Sequence, residues 1–333
     1  MNRVLLVFSV LFLAVHVRAE LKPFEAWRQD IKREAIERGI SQPTALILDE
    51  IEPDPRVLEF DRRQPEFVQT FEEYLRARVS DDRVALGRQM FREYRKVLGE
   101  ISDQYDVDPQ YLVAFWGLES SFGRYQGKYS VVRSLATLAY DQRRSAFFTS
   151  ELFSALQILD EGHIPSADFV GGWAGAMGQN QFLPSSFLRY AQDFDGDGKK
   201  DIWGEEQDVL ASIANYLATN GWVRGAGWGT RVTVPVELEA SLLVPDKVAS
   251  GCRALRKHTR YLPLEQWRAL GVVGDFSDLA ESAYALVIPD AGETTSYLVG
   301  GNFRTILHYN CANKYAVSVG LMADLVAQGN DLP

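Results

Sequence analysis

Glu119 stands out because of where it falls. The segment before it, Tyr111-Leu112-Val113-Ala114-Phe115-Trp116, is the most apolar helix-like run of the chain, and Ser120-Ser121-Phe122-Gly123 follows, where Gly123 can turn the backbone out of a helix. A carboxyl group so placed loses hydration, which penalises its charged form and moves its pKa toward the range of a general acid. The same acid could instead cap a loop or pair with Arg124 or Arg133. A second stretch runs from Gly171 and Gly172 through Trp173, Gly175 and Gly178 to Gln179, Asn180, Gln181 and Phe182. Small residues there let a ligand approach the backbone; amide side chains read hydroxyl and acetamido groups, and aromatic faces cover the C–H side of a sugar ring. Close helix packing would account for such glycines equally well.

The third stretch is sharper. Asp193, Asp195 and Asp197 occupy positions one, three and five of a loop with Gly198 at six, the spacing of an EF-hand, where oxygen ligands on alternate residues wrap a hard cation such as Ca2+. Lys199 would offer its carbonyl at seven and Asp201 stands at nine, but Gly204 replaces the Glu of position twelve. The closing acid must then come from Glu205, Glu206 or Asp208, with Asp208 the expected one; it could also serve only to cap its own helix. His163, His258 and His308 are isolated, and the chain has neither a zinc motif, a phosphate-binding loop nor a dinucleotide fingerprint, so no organic cofactor is expected.

These residues need a scaffold, and the periodicity supplies a mainly α one. From Pro23 to Leu98, apolar residues recur at helical spacing, as in Phe24-Trp27-Ile31-Ala35, with breaks at Gly39, Pro43, Pro53, Pro55 and Pro65. Asp108 is an N-cap candidate before Pro109 at a first helical position, and the helix it opens is apolar on every side, hence buried on all faces. Further helices are predicted over Val131–Tyr140, Ala146–Leu159, from Pro184, over Asp208–Thr219, and over Lys314–Val326. Between residues 228 and 300 the period changes: Val232, Val234, Val236 and Leu238 alternate with polar residues, a strand that Pro235 would confine to a sheet edge. Ala285–Ile288 and Thr295–Val299 read as short strands. The fold class is therefore mainly α with a small β-containing insert, an α+β arrangement.

The 333 residues suggest about two domains at roughly 100–200 residues each. A formal charge of −10 argues against a nucleic-acid partner, which calls for a basic face. Residues 1–19 read as a signal peptide: Arg3, then an apolar stretch from Val4 to Val15 broken only by Ser9, then small residues ending at Ala19. Its removal would take Arg3 and Arg18 and bring the charge to −12. With no cysteine near the cut, a lipid anchor is not expected, and the mature chain is expected to be soluble outside the cytoplasm. Export permits Cys252 and Cys311 to pair; two buried thiols are the alternative.

Taken together, Gly117 to Gly123, Ala174 to Gly178, Gln181 to Ser186, the Asp-Gly loop with Trp203, Ala214-Asn215-Tyr216 and Tyr309-Asn310 resemble the lytic murein transglycosylase B family, glycoside hydrolase family 103. The resemblance runs from about Phe24 to Val326. It implies a lysozyme-like helical core over 105–227 that includes the loop 193–208, an extra helical region over 20–104, a small β domain over 228–300, and a segment 301–333 that returns to the core. It further implies that Glu119 is the sole catalytic carboxylate, protonating the glycosidic oxygen between N-acetylmuramic acid and N-acetylglucosamine and then acting as base on the muramyl 6-hydroxyl, giving a 1,6-anhydro end. Because that nucleophile is intramolecular, the second acid of an ordinary glycosidase is not needed.

Gln181, Tyr216, Tyr309, Asn310 and Tyr315 fall where the family contacts substrate, Arg143 and Arg144 match a basic pair near the cleft, and Tyr74 would add an aromatic wall. The resemblance makes Ca2+ structural. The implied partner is peptidoglycan, with other cell-wall enzymes as protein partners, and nothing demands more than a monomer. Two departures stand out: Gly172 where a Ser is expected, and Phe147 for a Tyr. The competing readings are a hydrolytic muramidase, with Asp141 as its second carboxylate, and a silent peptidoglycan-binding scaffold.

Overall fold

The computed structural model describes residues 22–63, 69–235, 238, 251–277, 279–288, 295–328 and 330; the signal-peptide segment lies outside the described residues, as does Val236 of the expected strand. Helices α1 (Phe24–Glu37), α2 (Gln42–Leu46), α3 (Pro55–Arg63), α4 (Phe71–Arg78), α5 (Asp81–Glu93) and α6 (Arg95–Tyr105) come first. Then follow α7 (Pro109–Ser120), α8 (Val131–Tyr140), α9 (Ser145–Asp160), α10 (Pro184–Tyr190) and α11 (Glu206–Thr219). Within this stretch β1 (Tyr129–Ser130) and β2 (Val170–Gly171) pair antiparallel, Tyr129 opposite Gly171. The insert holds β3 (Gly229–Thr233), α12 (Leu264–Ala269), β4 (Val273–Gly274), β5 (Ala285–Val287) and β6 (Ser296–Val299), and the chain returns through α13 (Gly301–Tyr309) and α14 (Asn313–Ala327).

Helix α7 is the hub. Ten of its twelve residues are buried, and it packs against α5, α6, α11 and α14. Each large apolar side chain withdrawn from water there contributes about 1.5–3 kcal/mol, and Trp116 satisfies its indole N–H on Gln179 Oε1 at 2.7 Å. The helix ends in three left-handed residues, Ser121, Phe122 and Gly123, with φ of 54°, 61° and 78°. That reversal folds the Phe122 ring back over Gly117, where a Cβ would lie 2.6 Å from the ring. Gly117 is therefore required for the turn that leaves Glu119 at the end of a rigid rod.

Helix α14 locks the insert to this hub. Gly320 sits under Trp228, so close that a Cβ would fall 2.2 Å from the ring, and the Trp228 indole N–H donates to Asp324 Oδ2 at 3.0 Å. The insert's sheet has the order β4-β3-β6-β5, all neighbours antiparallel. Beneath it Val232, Trp267, Val272, Tyr284, Leu286 and Leu298 form an apolar cluster separate from the main core.

Two expectations need correction. The strand through Val232 is interior, between β4 and β6, and ends at Thr233; Pro235, which lacks an N–H for the ladder, lies beyond it and so does not make it an edge. Asp108 occupies the N-cap position of α7 but its side chain does not cap. Its carboxylate instead accepts the Trp222 indole N–H at 2.8 Å and the Gly225 N–H at 3.0 Å, tying α7 to the turn after α11.

His258 is buried, with Nε2 2.9 Å from Oδ1 of Asn313, the first residue of α14. Burial, reinforced by the Arg304 guanidinium and opposed by the Asn313 hydrogen bond, holds its pKa below the ordinary value. The unfolded chain takes up this proton first as pH falls, so His258 should lower stability below about pH 6.5, by at most about 1.4 kcal/mol per pH unit. Between pH 7.5 and 5 the wild type should lose stability relative to His258→Gln, read from urea midpoints, by up to this slope; a difference independent of pH would exclude the residue as its source.

Candidate active site

The end of α7 and the start of α14 are brought together by helix packing, and with them two residues 196 apart in sequence. The Tyr315 hydroxyl donates to Glu119 Oε1 at 2.5 Å. Burial, and next the facing Glu119 carboxylate, push the Tyr315 phenol well above its ordinary pKa, so it remains a donor across the physiological range. Tyr74 on α4 lies near enough to add to that shift. Tyr309, the last residue of α13, experiences the same burial and the same Glu119 charge, and its hydroxyl donates to the Asn180 carbonyl at 2.5 Å. Its ring centroid lies 4.7 Å from that of Tyr216 on α11 and 4.7 Å from that of Phe115 on α7, with Phe182 at 5.7 Å. Burial likewise raises the Tyr216 phenol. Glu119, Tyr315, Tyr309 and Tyr216 thus belong to one aromatic-walled cluster, and Asn310 stands exposed at the C-terminal end of α13 beside it.

The glycine-dense loop forms another wall. Gln181 has φ of 52°, and its amide N–H donates to the carbonyls of Gly178 at 2.8 Å and Gln126 at 3.2 Å. Gly123 and Gly178 are obligatory: at φ of 78° and 66°, a Cβ would fall 2.4 Å from Gln179 Oε1 and 2.6 Å from the Ile202 carbonyl. Gly172 is not crowded. A Cβ there would be 3.7 Å from Gln181 Oε1, an ordinary contact, so the serine hydroxyl absent from this chain has room. Trp173 beside it stacks on Phe60 of α3, 6.3 Å between centroids at 30°.

Arg143 and Arg144 lie in the α8–α9 turn, and both guanidiniums ion-pair with the buried carboxylate of Asp61 on α3. Asp61 has no signal in the sequence, being 82 residues away. Phe147 is exposed, stacked edge-on against Phe148. The carboxylate of Asp141 is committed to the Arg143 backbone N–H at 3.1 Å and to Arg62 at 3.5 Å, which ill suits it to act as a second catalytic acid.

In the acidic loop, carboxylate oxygens of Asp193, Asp195 and Asp197 come within 4.8 Å of one another, exposed to solvent. Gly196 and Gly198, at φ of 78° and 92°, wrap the backbone so that its N–H groups donate inward, as from Gly198 to Asp193 Oδ2 at 2.9 Å and from Lys199 to Asp197 Oδ1 at 2.8 Å. Three hard oxygen donors on alternate residues fit a Ca2+ ion.

Asp208 does not close the set. One of its oxygens accepts the Phe194 N–H at 2.7 Å and the other the Asp201 N–H at 2.8 Å, so it staples the two ends of the loop from inside α11 and stands outside the carboxylate group. The physical reason is its burial in the first turn of α11, beneath the loop. Burial, with Asp195 and Asp193 nearby and against its two amide donors, raises its pKa to about 6.

Cys252 and Cys311 are joined by a disulfide, Cα atoms 5.4 Å apart. It anchors the loop between Tyr309 and Tyr315 to the insert. Among the described residues, no helix is long and apolar enough to cross a membrane.

Comparison with known proteins gives a consistent result. Residues 23–324 match the family model described as the Transglycosylase SLT domain. The chain is 31% identical over 256 residues to membrane-bound lytic murein transglycosylase B of Escherichia coli (strain K12), covering 76% of this chain and 66% of that protein. Among solved structures, SltB3 from Pseudomonas aeruginosa in complex with NAG-anhNAM-pentapeptide superposes with a TM-score of 0.82 at 40% identity, covering 93% of this chain and 81% of that one. The Escherichia coli lytic transglycosylase Slt35 in complex with calcium gives 0.75 at 26% identity, covering 90% and 92%.

Proposed function

This chain belongs to the transglycosylases of the SLT domain family, and from that premise we propose that it is a periplasmic lytic transglycosylase cleaving the β-1,4 bond between N-acetylmuramic acid and N-acetylglucosamine in peptidoglycan. The observation that carries this reading is Glu119, hydrogen-bonded by Tyr315 at the end of a buried helix and faced by an aromatic cluster that can stack on sugar rings. Protonated Glu119 gives its proton to the leaving O4 of N-acetylglucosamine as the bond from muramyl C1 breaks. The resulting carboxylate takes the proton from the muramyl 6-hydroxyl as O6 bonds to C1. The proton returns to Glu119, no water is consumed, and one carboxylate suffices. Tyr315 keeps the carboxyl oriented through both steps. Gln181, Tyr216, Tyr309 and Asn310 would read the saccharide, and Arg143 and Arg144 the carboxylates attached to it.

The division into a helical region, a core over 105–227 and an insert over 228–300 is supported by the separate apolar cluster of the insert. Mass spectrometry of fragments released from purified sacculi tests the reaction. Products one water lighter than hydrolysis products, ending in 1,6-anhydromuramic acid, are expected; hydrated reducing ends would make the enzyme a muramidase.

Asp193, Asp195 and Asp197 would hold Ca2+, with the Lys199 carbonyl as a further ligand. The ion would offset two of the three adjacent negative charges and brace the loop, without entering the reaction. With three carboxylates and no bidentate closing acid, affinity should fall at about 10⁻⁴–10⁻³ M. At ten times Kd the stabilisation is about 1.4 kcal/mol, visible as a rise in Tm with Ca2+ that Asp195→Asn removes. A Tm indifferent to about 10 mM Ca2+, an excess set by that range, would exclude the site.

A further inference from the structure

The chain is acidic overall, yet Arg253, Arg256, Lys257 and Arg260 stand within eight residues that contain no acid, and all four are exposed or half-buried at the surface. Three surface arginines elsewhere are held by carboxylates, Arg33 by Asp30, Arg38 by Glu34 and Arg76 by Glu72. Among the described residues, none of these four is engaged in an ion pair or a side-chain hydrogen bond. Arg253 begins a 3₁₀ turn over Arg253–Lys257, whose three-residue repeat sets it and Arg256 on one side.

The backbone under these cations is fixed against the site. Cys252 is disulfide-bonded to Cys311, which directly follows Asn310. The Ala254 N–H contacts Cys311 Sγ at 3.5 Å, and the Ala254 carbonyl accepts the Asn313 amide at 3.3 Å. At the far end, the Thr259 N–H donates to the Leu286 carbonyl at 3.1 Å, and His258 holds Asn313. The cations therefore project from a segment bolted to the loop that carries Tyr309 and Asn310 on one side and Tyr315 on the other. Arg304 of α13, exposed and lying over the Tyr261 ring at 4.9 Å, extends the positive charge along the same border.

We propose that Arg253, Arg256, Lys257 and Arg260 form a binding strip for the carboxylates of peptide stems on the glycan strand, next to the Asn310 end of the site. This inference rests on the activity proposed above. The physical need is plain: peptide-bearing murein is a polyanion, and an exported chain of charge −12 approaches it against like-charge repulsion. A local strip of positive charge reverses the field where the substrate must dock.

The test compares intact sacculi with the same glycan strands stripped of peptides by an amidase. Subjects are the wild-type chain, the variant R253Q/R256Q/K257Q/R260Q, and the charge-retaining variant R253K/R256K/R260K. At low salt the neutralised variant should show KM raised about 5- to 10-fold on peptide-bearing strands with kcat unchanged, no change on stripped strands, and a flatter salt dependence. The charge-retaining variant should behave as wild type. Should the four-site variant fail to fold, R253Q/R256Q reads the same comparison with about half the effect.

Equal KM for wild type and variant on both substrates would overturn the strip while leaving the enzyme reading intact. Equal loss on both substrates would make the cations structural, and loss of binding to anionic phospholipid vesicles with unchanged murein kinetics would assign them to a lipid surface; either overturns the proposal. No release of fragments from either substrate by the wild type would instead remove the activity on which the inference rests.

Discussion

Glu119→Gln should abolish release of soluble fragments from sacculi, lowering kcat by about 10³-fold or more, while the protein still sediments with them. The magnitude follows from the double duty proposed for one group. General acid and general base assistance each contribute about 10²–10⁴-fold, and the amide can neither give nor take the proton in either step. Glutamine keeps the size of the side chain and an oxygen that can accept the Tyr315 hydroxyl, so the aromatic cluster should keep its packing. Tm should therefore stay within a few degrees, a surface-scale change of about 0.5 kcal/mol. Separating kcat from binding distinguishes the enzyme from a silent scaffold. A mutant that cleaves as fast as wild type would strip Glu119 of its role, and unaltered sacculi with both proteins would favour the scaffold.

The largest effect on stability is expected at the disulfide. Cys252 and Cys311 are 59 residues apart, and opening that loop in the chain-entropy model costs about 4 kcal/mol. Replacing both by Ser should lower Tm by about 6 °C, and reductant should bring the wild type to the same value without affecting the variant. The functional consequence is local. The bridge pins the segment between Tyr309 and Tyr315, so its loss should also raise KM, because residues that must face Glu119 together would sit on a looser loop. A double-Ser variant with wild-type Tm in oxidising buffer would show that the bridge adds nothing to the folded state.

Where the chain's own spacing decides an outcome, the sequence is sufficient. Apolar residues on every side of Tyr111–Leu118 require a helix buried all round, and Pro109 with Gly123 bounds it, so the position of Glu119 at its end is legible from local pattern alone. Alternate aspartates with intervening glycines bring Asp193, Asp195 and Asp197 together because only five residues of chain are involved. Asp208 departs from its expected role for the complementary reason. Well beyond that set in the chain, its side chain is directed by the packing of α11 beneath the loop, and it accepts two backbone N–H groups instead of joining the carboxylates. Asp108 shows the same limit: its position favours a cap, but a neighbouring indole offers the better donor.

The contacts that make a site out of these parts lie across long stretches of chain. Tyr315 reaches Glu119 over 196 residues, Tyr309 reaches Asn180 over 129, and Asp61 gathers Arg143 and Arg144 over 82 and 83. By itself the sequence determined where the longer helices of the core run and which side chains have chemistry to offer, since those follow from periodicity and local geometry. Only the tertiary structure decided which of them meet, because a pairing of distant residues is set by how buried helices such as α7 and α14 pack, and no local spacing encodes that.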